Sequence, residues 1–160
     1  MKPLKSFYNC IEKLKAQHLS NILGFGGILP FMLLLILIGM TDKKYYYFLI
    51  DSFFSYTSII LTFLGAVYWG FSLTKKNEIN INIALIFSII PAILGWATNS
   101  FVQSEVIKIF LFLIFFNSIY FLEKKYASKI KIPTYYIILR KNLNIFVTII
   151  FFFLFIIIVT

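Results

Sequence analysis

The 160-residue chain is poor in the residues that build most reactive centres. It has one cysteine, Cys10, and one histidine, His18, which excludes an intramolecular disulfide and a Cys/His-rich metal site. Acid is scarce, with six Asp and Glu against fifteen Lys and Arg. No HExxH, GxSxG, CxxC or phosphate-cradling glycine loop occurs. GFGG at Gly24 has the glycines of a nucleotide loop but follows no strand and enters an apolar helix. Charged residues make up only 13% of the chain and apolar ones 61%, with mean hydropathy +0.91. A soluble domain of this size has too little interior for so much apolar surface, so composition alone indicates a membrane protein. The formal charge of +9 is not spread over a face that could meet nucleic acid. It sits in short blocks between apolar runs, which is a topology signal.

What the sequence has in abundance is apolar length. A crossing needs about 20 predominantly apolar residues, and 22–40, 53–73, 81–101, 106–122 and 143–159 qualify. Backbone groups in lipid must be bonded within the segment, so these are helices and the fold class is an all-α, five-span polytopic membrane protein. The run from Ile22 is too long for a signal-peptide core and lacks a small-x-small cleavage site, so it is expected to be a permanent span. The fourth span carries Lys108 near one end, where its stem can snorkel. Twelve of the fifteen basic residues fall on one side: the N-terminal arm, Lys75–Lys76, and the stretch from Lys124 to Lys141, which includes Arg140. This bias predicts a cytoplasmic N-terminus and an external C-terminus.

Two segments are expected to lie on the membrane surface. In the arm at 1–19, Leu4, Phe7, Ile11, Leu14 and His18 recur at helical spacing with lysines opposite, a basic amphipathic helix facing anionic lipid. The five-span domain occupies 20–160. Before its last span, Pro133 opens a short interfacial helix carrying Tyr135, Tyr136, Leu139 and Arg140 at headgroup level.

Helix contacts in lipid are marked by small residues. In the second span Ser58, Thr62, Ala66 and Gly70 follow one another at i+4, and Gly65 widens the stripe. The first span offers Gly24, Gly26, Gly27 and Pro30, and the third Ala84, Ser88, Ala92 and Gly95. Spans four and five contain no glycine, so spans one to three are expected to form the interior, with the first two glycine clusters meeting at matching depth. Pro91 frees the Phe87 carbonyl in mid-span and favours a kink. Trp69 and Trp96 fit either this seam or an interfacial belt, and Asn99 and Asn117 fit interhelical hydrogen bonding. No ionisable residue is expected at mid-depth; Asp51 and Glu105 fall at outer mouths, as carboxylates favoured at helix N-termini.

The ordered set GFGGILPF, SIILTFLGAVYWGFSL, SIIPAILGW and PTYYIILR resembles the membrane family called domain of unknown function 3429, whose animal relative is transmembrane protein 69. The resemblance runs from Gly24 to the last span. Its matching positions are Gly24, Gly27, Pro30, Phe31, Gly65, Trp69, Gly70, Pro91, Trp96, Tyr136, Leu139 and Arg140. It implies a small multi-span protein of the bacterial inner membrane, or of mitochondria in animals, without an assigned activity. The chain departs from it at Tyr68, where bacterial members often carry histidine. A tyrosine neither switches protonation near neutral pH nor binds metal as imidazole does.

The expected function is therefore non-enzymatic, with no cofactor and no nucleic-acid partner. The lipid bilayer, a membrane-protein partner or a second copy are the expected contacts, in assembly or maintenance of a larger complex. The alternative is a small-solute transporter or channel with its pathway at the glycine-rich faces of spans one to three.

Overall fold

Pro30 decides where the first helix breaks. Its ring carries no N–H and would collide with the Gly26 carbonyl. The chain accordingly forms a helix over 17–26 (α1), a turn at Gly27 and Ile28, and a second helix, Leu29–Met40 (α2). In the turn the Gly27 amide donates to the Leu23 carbonyl at 3.1 Å and the Ile28 amide to the Phe25 carbonyl at 3.0 Å. The Tyr56 hydroxyl donates to the Gly27 carbonyl at 2.8 Å, covering a group the break leaves open. Tyr56→Phe should cost about 1 kcal/mol, measured as a lowered unfolding free energy in detergent micelles.

The computed structural model describes residues 14–15, 17–41, 43–74, 81–130 and 132–160. Beyond α2 come α3 (Lys43–Thr74), α4 (Ile81–Phe101), α5 (Glu105–Ile130) and α6 (Thr134–Val159), with no strand among the described residues. Four stretches are long and apolar enough to cross a membrane: Gln17–Met40, Lys44–Gly70, Glu105–Tyr126 and Thr134–Val159. In α4 the apolar stretch is shorter, Leu85–Phe101. Leu4, Phe7 and Ile11 of the basic arm, and the Lys75–Lys76 turn, lie outside the described residues.

Side-chain pairs set the helix directions. Near their starts α3 and α5 are joined by Tyr46, whose hydroxyl donates to Glu105 Oε2 at 3.2 Å. Near their ends Tyr68 stands beside Glu123. These two helices therefore run the same way, and α4 must return along the bundle between them. It does so antiparallel to α3, setting Pro91 against Gly65, Gly95 against Ser58 and Asn99 against Ser55. Helix α6 runs against α5 and alongside α1 and α2, with Leu139 and Leu143 at Gly24 and Ile157 at Gly39. Residue 17 and Thr160 thus lie at opposite ends.

The interior corrects the expectation that spans four and five stay at the periphery. Phe151 of α6 is fully buried and sits among Phe31, Phe53, Phe112 and Phe116 at ring-centroid distances of 6.4, 5.4, 6.4 and 6.3 Å. Leu154, Ile150 and Val147 continue this buried face of α6, and Ile109 that of α5. Interlocked rings fill a bundle centre as well as small residues do, and tilted or edge-to-face pairs are the favoured geometry. It is α4 that lies outermost, packed on α3 and exposing Ile86, Phe87, Ile93 and Trp96.

Two boundaries also change. The interfacial helix is not separate: Pro133 is the extended N-cap of α6, and the helix continues unbroken from Thr134 to Val159. Nothing between Thr134 and Leu143 interrupts it, and Arg140 turns inward to Glu123. Asp51 lies within α3 and is exposed, since that helix begins at Lys43; Glu105 does occupy the first turn of α5.

Candidate functional site

The most unusual chemistry in the bundle is a buried ion pair that spacing alone did not indicate. Glu123 of α5 is 0% exposed and Arg140 of α6 is 5% exposed. Arg140 Nε donates to Glu123 Oε2 at 2.9 Å. Glu123 lies near the end of the apolar stretch Glu105–Tyr126, one residue beyond the expected span 106–122 and away from its mid-depth. Arg140, expected on an interfacial helix at headgroup level, is buried in the α5–α6 contact. Tyr68 and Tyr136 interact electrostatically with the Glu123 carboxylate. The Tyr68 hydroxyl, Glu123 Oε1 and Arg140 Nη2 are buried without a hydrogen-bond partner. One level deeper, Asn144 Nδ2 donates to Asn117 Oδ1 at 2.9 Å, and Asn117 Nδ2 donates to the Leu113 carbonyl at 2.8 Å. The polar layer therefore ties α3, α5 and α6 together at one end of the bundle. Its charges cancel, and among the described residues no group of three His, Cys, Asp or Glu converges to hold a metal.

A second feature lies between α3 and α4. Ser55, Ser58, Ile59, Thr62, Ala92, Trp96 and Asn99 line an outward-opening groove of about 330 Å³. Ser58 Oγ donates across the helix pair to the Gly95 carbonyl at 2.9 Å, and Asn99 Nδ2 donates to Ser55 Oγ at 3.2 Å. Ser58 also approaches the Phe54 carbonyl at 3.0 Å, while Thr62 donates to the Ser58 carbonyl at 2.8 Å. Hydroxyls bonded back to the preceding turn can stand on an apolar surface at little cost.

The small-residue stripe is thus real but faces another neighbour. Gly65 is buried against Ser88 and Pro91 of α4, not against the glycines of the first span. Gly24 abuts Leu139 and Leu143 of α6, and Gly27 approaches Tyr56. Thr62, Ala66 and Gly70 face outward, and a Cβ built at Gly70 meets nothing within 4 Å among the described residues. Among the described residues the two glycine clusters meet different neighbours. Pro30 sits in the first turn of α2 and Pro91 is buried within α4. Trp69 (45% exposed) and Trp96 (60%) point outward, Trp96 with its edge against Phe101 at 5.3 Å. Of the expected residues, Tyr68, Tyr136 and Asn117 join Arg140 in the polar layer.

In the sequence Glu123 directly precedes Lys124 and Lys125, where a charge run looks solvated. A signal was present. The Glu123–Arg140 and Asn117–Asn144 pairs, separated by 17 and 27 residues, nest about one connection, as partners in an antiparallel helical hairpin must.

Nothing among curated proteins or solved structures matches the chain. The pattern that defines a family described as "Protein of unknown function (DUF3429)" matches residues 16–157. That match reaches from the start of α1 to within two residues of the end of α6, and the chain belongs to the DUF3429 family.

Proposed function

We propose that this is a non-enzymatic, five-span protein of the bacterial inner membrane that acts by receiving a partner helix at the α3–α4 groove. Its role would be assembly or maintenance of a larger membrane complex. The observation that carries this reading is the groove itself: small and hydroxyl-bearing residues at an outward face, which in lipid mark close helix approach and interhelical hydrogen bonding. The return of α4 along the whole bundle supports counting it as the fifth crossing. The excess of bases near the Arg140 end supports placing that end, with the N-terminus, in the cytoplasm. The charges of the polar layer are used against each other, which suits a structural role more than a catalytic one.

A photo-crosslinking residue at Ile59, in the groove, should give an adduct of one discrete mass in cells at native expression. The same residue at Phe152, exposed on α6, should not. Adducts from both positions, or from neither, would refute the docking role.

A further inference from the structure

The buried ion pair has a consequence for the surface just outside it. Because Arg140 binds Glu123, those two positions share one level of the α5–α6 hairpin. Their chain neighbours Lys124 and Lys141 therefore lie within about 3 Å of the same height, at a rise of about 1.5 Å per residue. Lys124, Lys125 and Lys141 are all exposed, and none has a carboxylate partner among the described residues. Among the described residues the acid next to them in the chain is withdrawn: Glu123 is inside, held by Arg140, and cannot neutralise them. Lys125 extends over the Tyr126 ring at 5.7 Å.

Further along the bundle, away from the α5–α6 connection, the outward surface of both helices turns apolar. On α5 it becomes Leu122 and Phe121; on α6, Ile145, one turn beyond Lys141. Unpaired ammonium groups stand at one level, with exposed aliphatic and aromatic side chains immediately beneath on the same two helices. That order of chemistry is the complement of an anionic phospholipid, phosphate above and acyl chains below.

We propose that Lys124, Lys125 and Lys141 form a binding site for the phosphate headgroup of an anionic phospholipid, seated on the outer face of the α5–α6 hairpin. The site rests on the membrane placement proposed above. The Glu123–Arg140 pair is its positioning element, since it brings the two lysine-bearing helices to a common level and removes the competing carboxylate.

The test uses the full chain in nanodiscs of phosphatidylcholine doped with phosphatidylglycerol, followed by native mass spectrometry after release. Wild type should retain phosphatidylglycerol in preference to phosphatidylcholine. Each Lys→Ala change should weaken that preference about fivefold, and the triple change should abolish it. Addition of inorganic phosphate should not displace the lipid; displacement would identify a free-phosphate site and overturn the proposal. Equal retention of the two lipids by wild type, or preference undiminished in the triple variant, would also overturn it. Failure to enter nanodiscs at all would instead refute the membrane placement, so the two failures are distinguishable. Lys44→Ala, on an exposed lysine at the start of α3, should leave the preference unchanged.

Discussion

Glu123→Ala should destabilise the protein by about 3–5 kcal/mol, the largest loss expected from any single charge in the chain. The reason is the residue left behind. Arg140 is 5% exposed and has its Nε committed to Glu123, so removing the carboxylate strands a guanidinium among Tyr68, Tyr136 and the helix backbones. A guanidinium stays charged at any pH the protein survives, so nothing local relieves it. The second half of the experiment separates charge from packing. The double variant Glu123→Met, Arg140→Met removes both charges while filling similar volume, and buried pairs exchanged in this way are often neutral or stabilising by about 1–4 kcal/mol. Unfolding free energies in mixed micelles should therefore show a large loss in the single variant and its recovery in the double. A double variant as unstable as the single would mean that Glu123 matters for contacts other than the ion pair.

The contrast between this pair and the glycine stripe explains what could be read from the sequence. Apolar length and the need to bond backbone groups locally are properties of single segments, so the helical class and the apolar stretches were legible residue by residue. The stripe at Ser58, Thr62 and Gly65 was legible as a contact surface for the same reason. Its neighbour was not, because periodicity identifies a face without saying what meets it. The first span offered glycines at the same depth, but a glycine cluster needs no second one opposite; Gly24 received Leu139 and Leu143, and Gly65 received Pro91. Small residues are not the sole marker of an interior contact: Phe151 shows that a ring hub serves equally. Glu123 and Arg140 were hidden by their own neighbours. Each directly precedes a lysine, and only the antiparallel pairing of α5 with α6 turns two apparent surface charges into one buried pair.

Gly65→Ala should be the most damaging methyl addition in the chain, costing about 3 kcal/mol, the upper end of the usual overpacking range. An added Cβ would collide with the Ser88 carbonyl oxygen and come within 3.3 Å of Pro91 Cγ. Both obstacles are stiff: one is backbone and the other a proline ring within α4. Neither can rotate aside, so the α3–α4 pair must separate, and the Ser58–Gly95 and Asn99–Ser55 bonds must lengthen with it. Gly24→Ala provides the control. Its Cβ would meet Leu143 Cδ1 at 3.2 Å and Leu139 Cδ2 at 3.3 Å, the far ends of two flexible side chains that can turn away. Alanine is itself favoured over glycine in a helix by about 1 kcal/mol, so Gly24→Ala should stay within about 1 kcal/mol of wild type. The same propensity gain applies at Gly65, so a net loss there can come only from the clash. Equal stability of the two variants would show that α4 is free to shift on α3. In that case the groove between them could widen without penalty, and its dimensions would carry no selectivity for a docked helix.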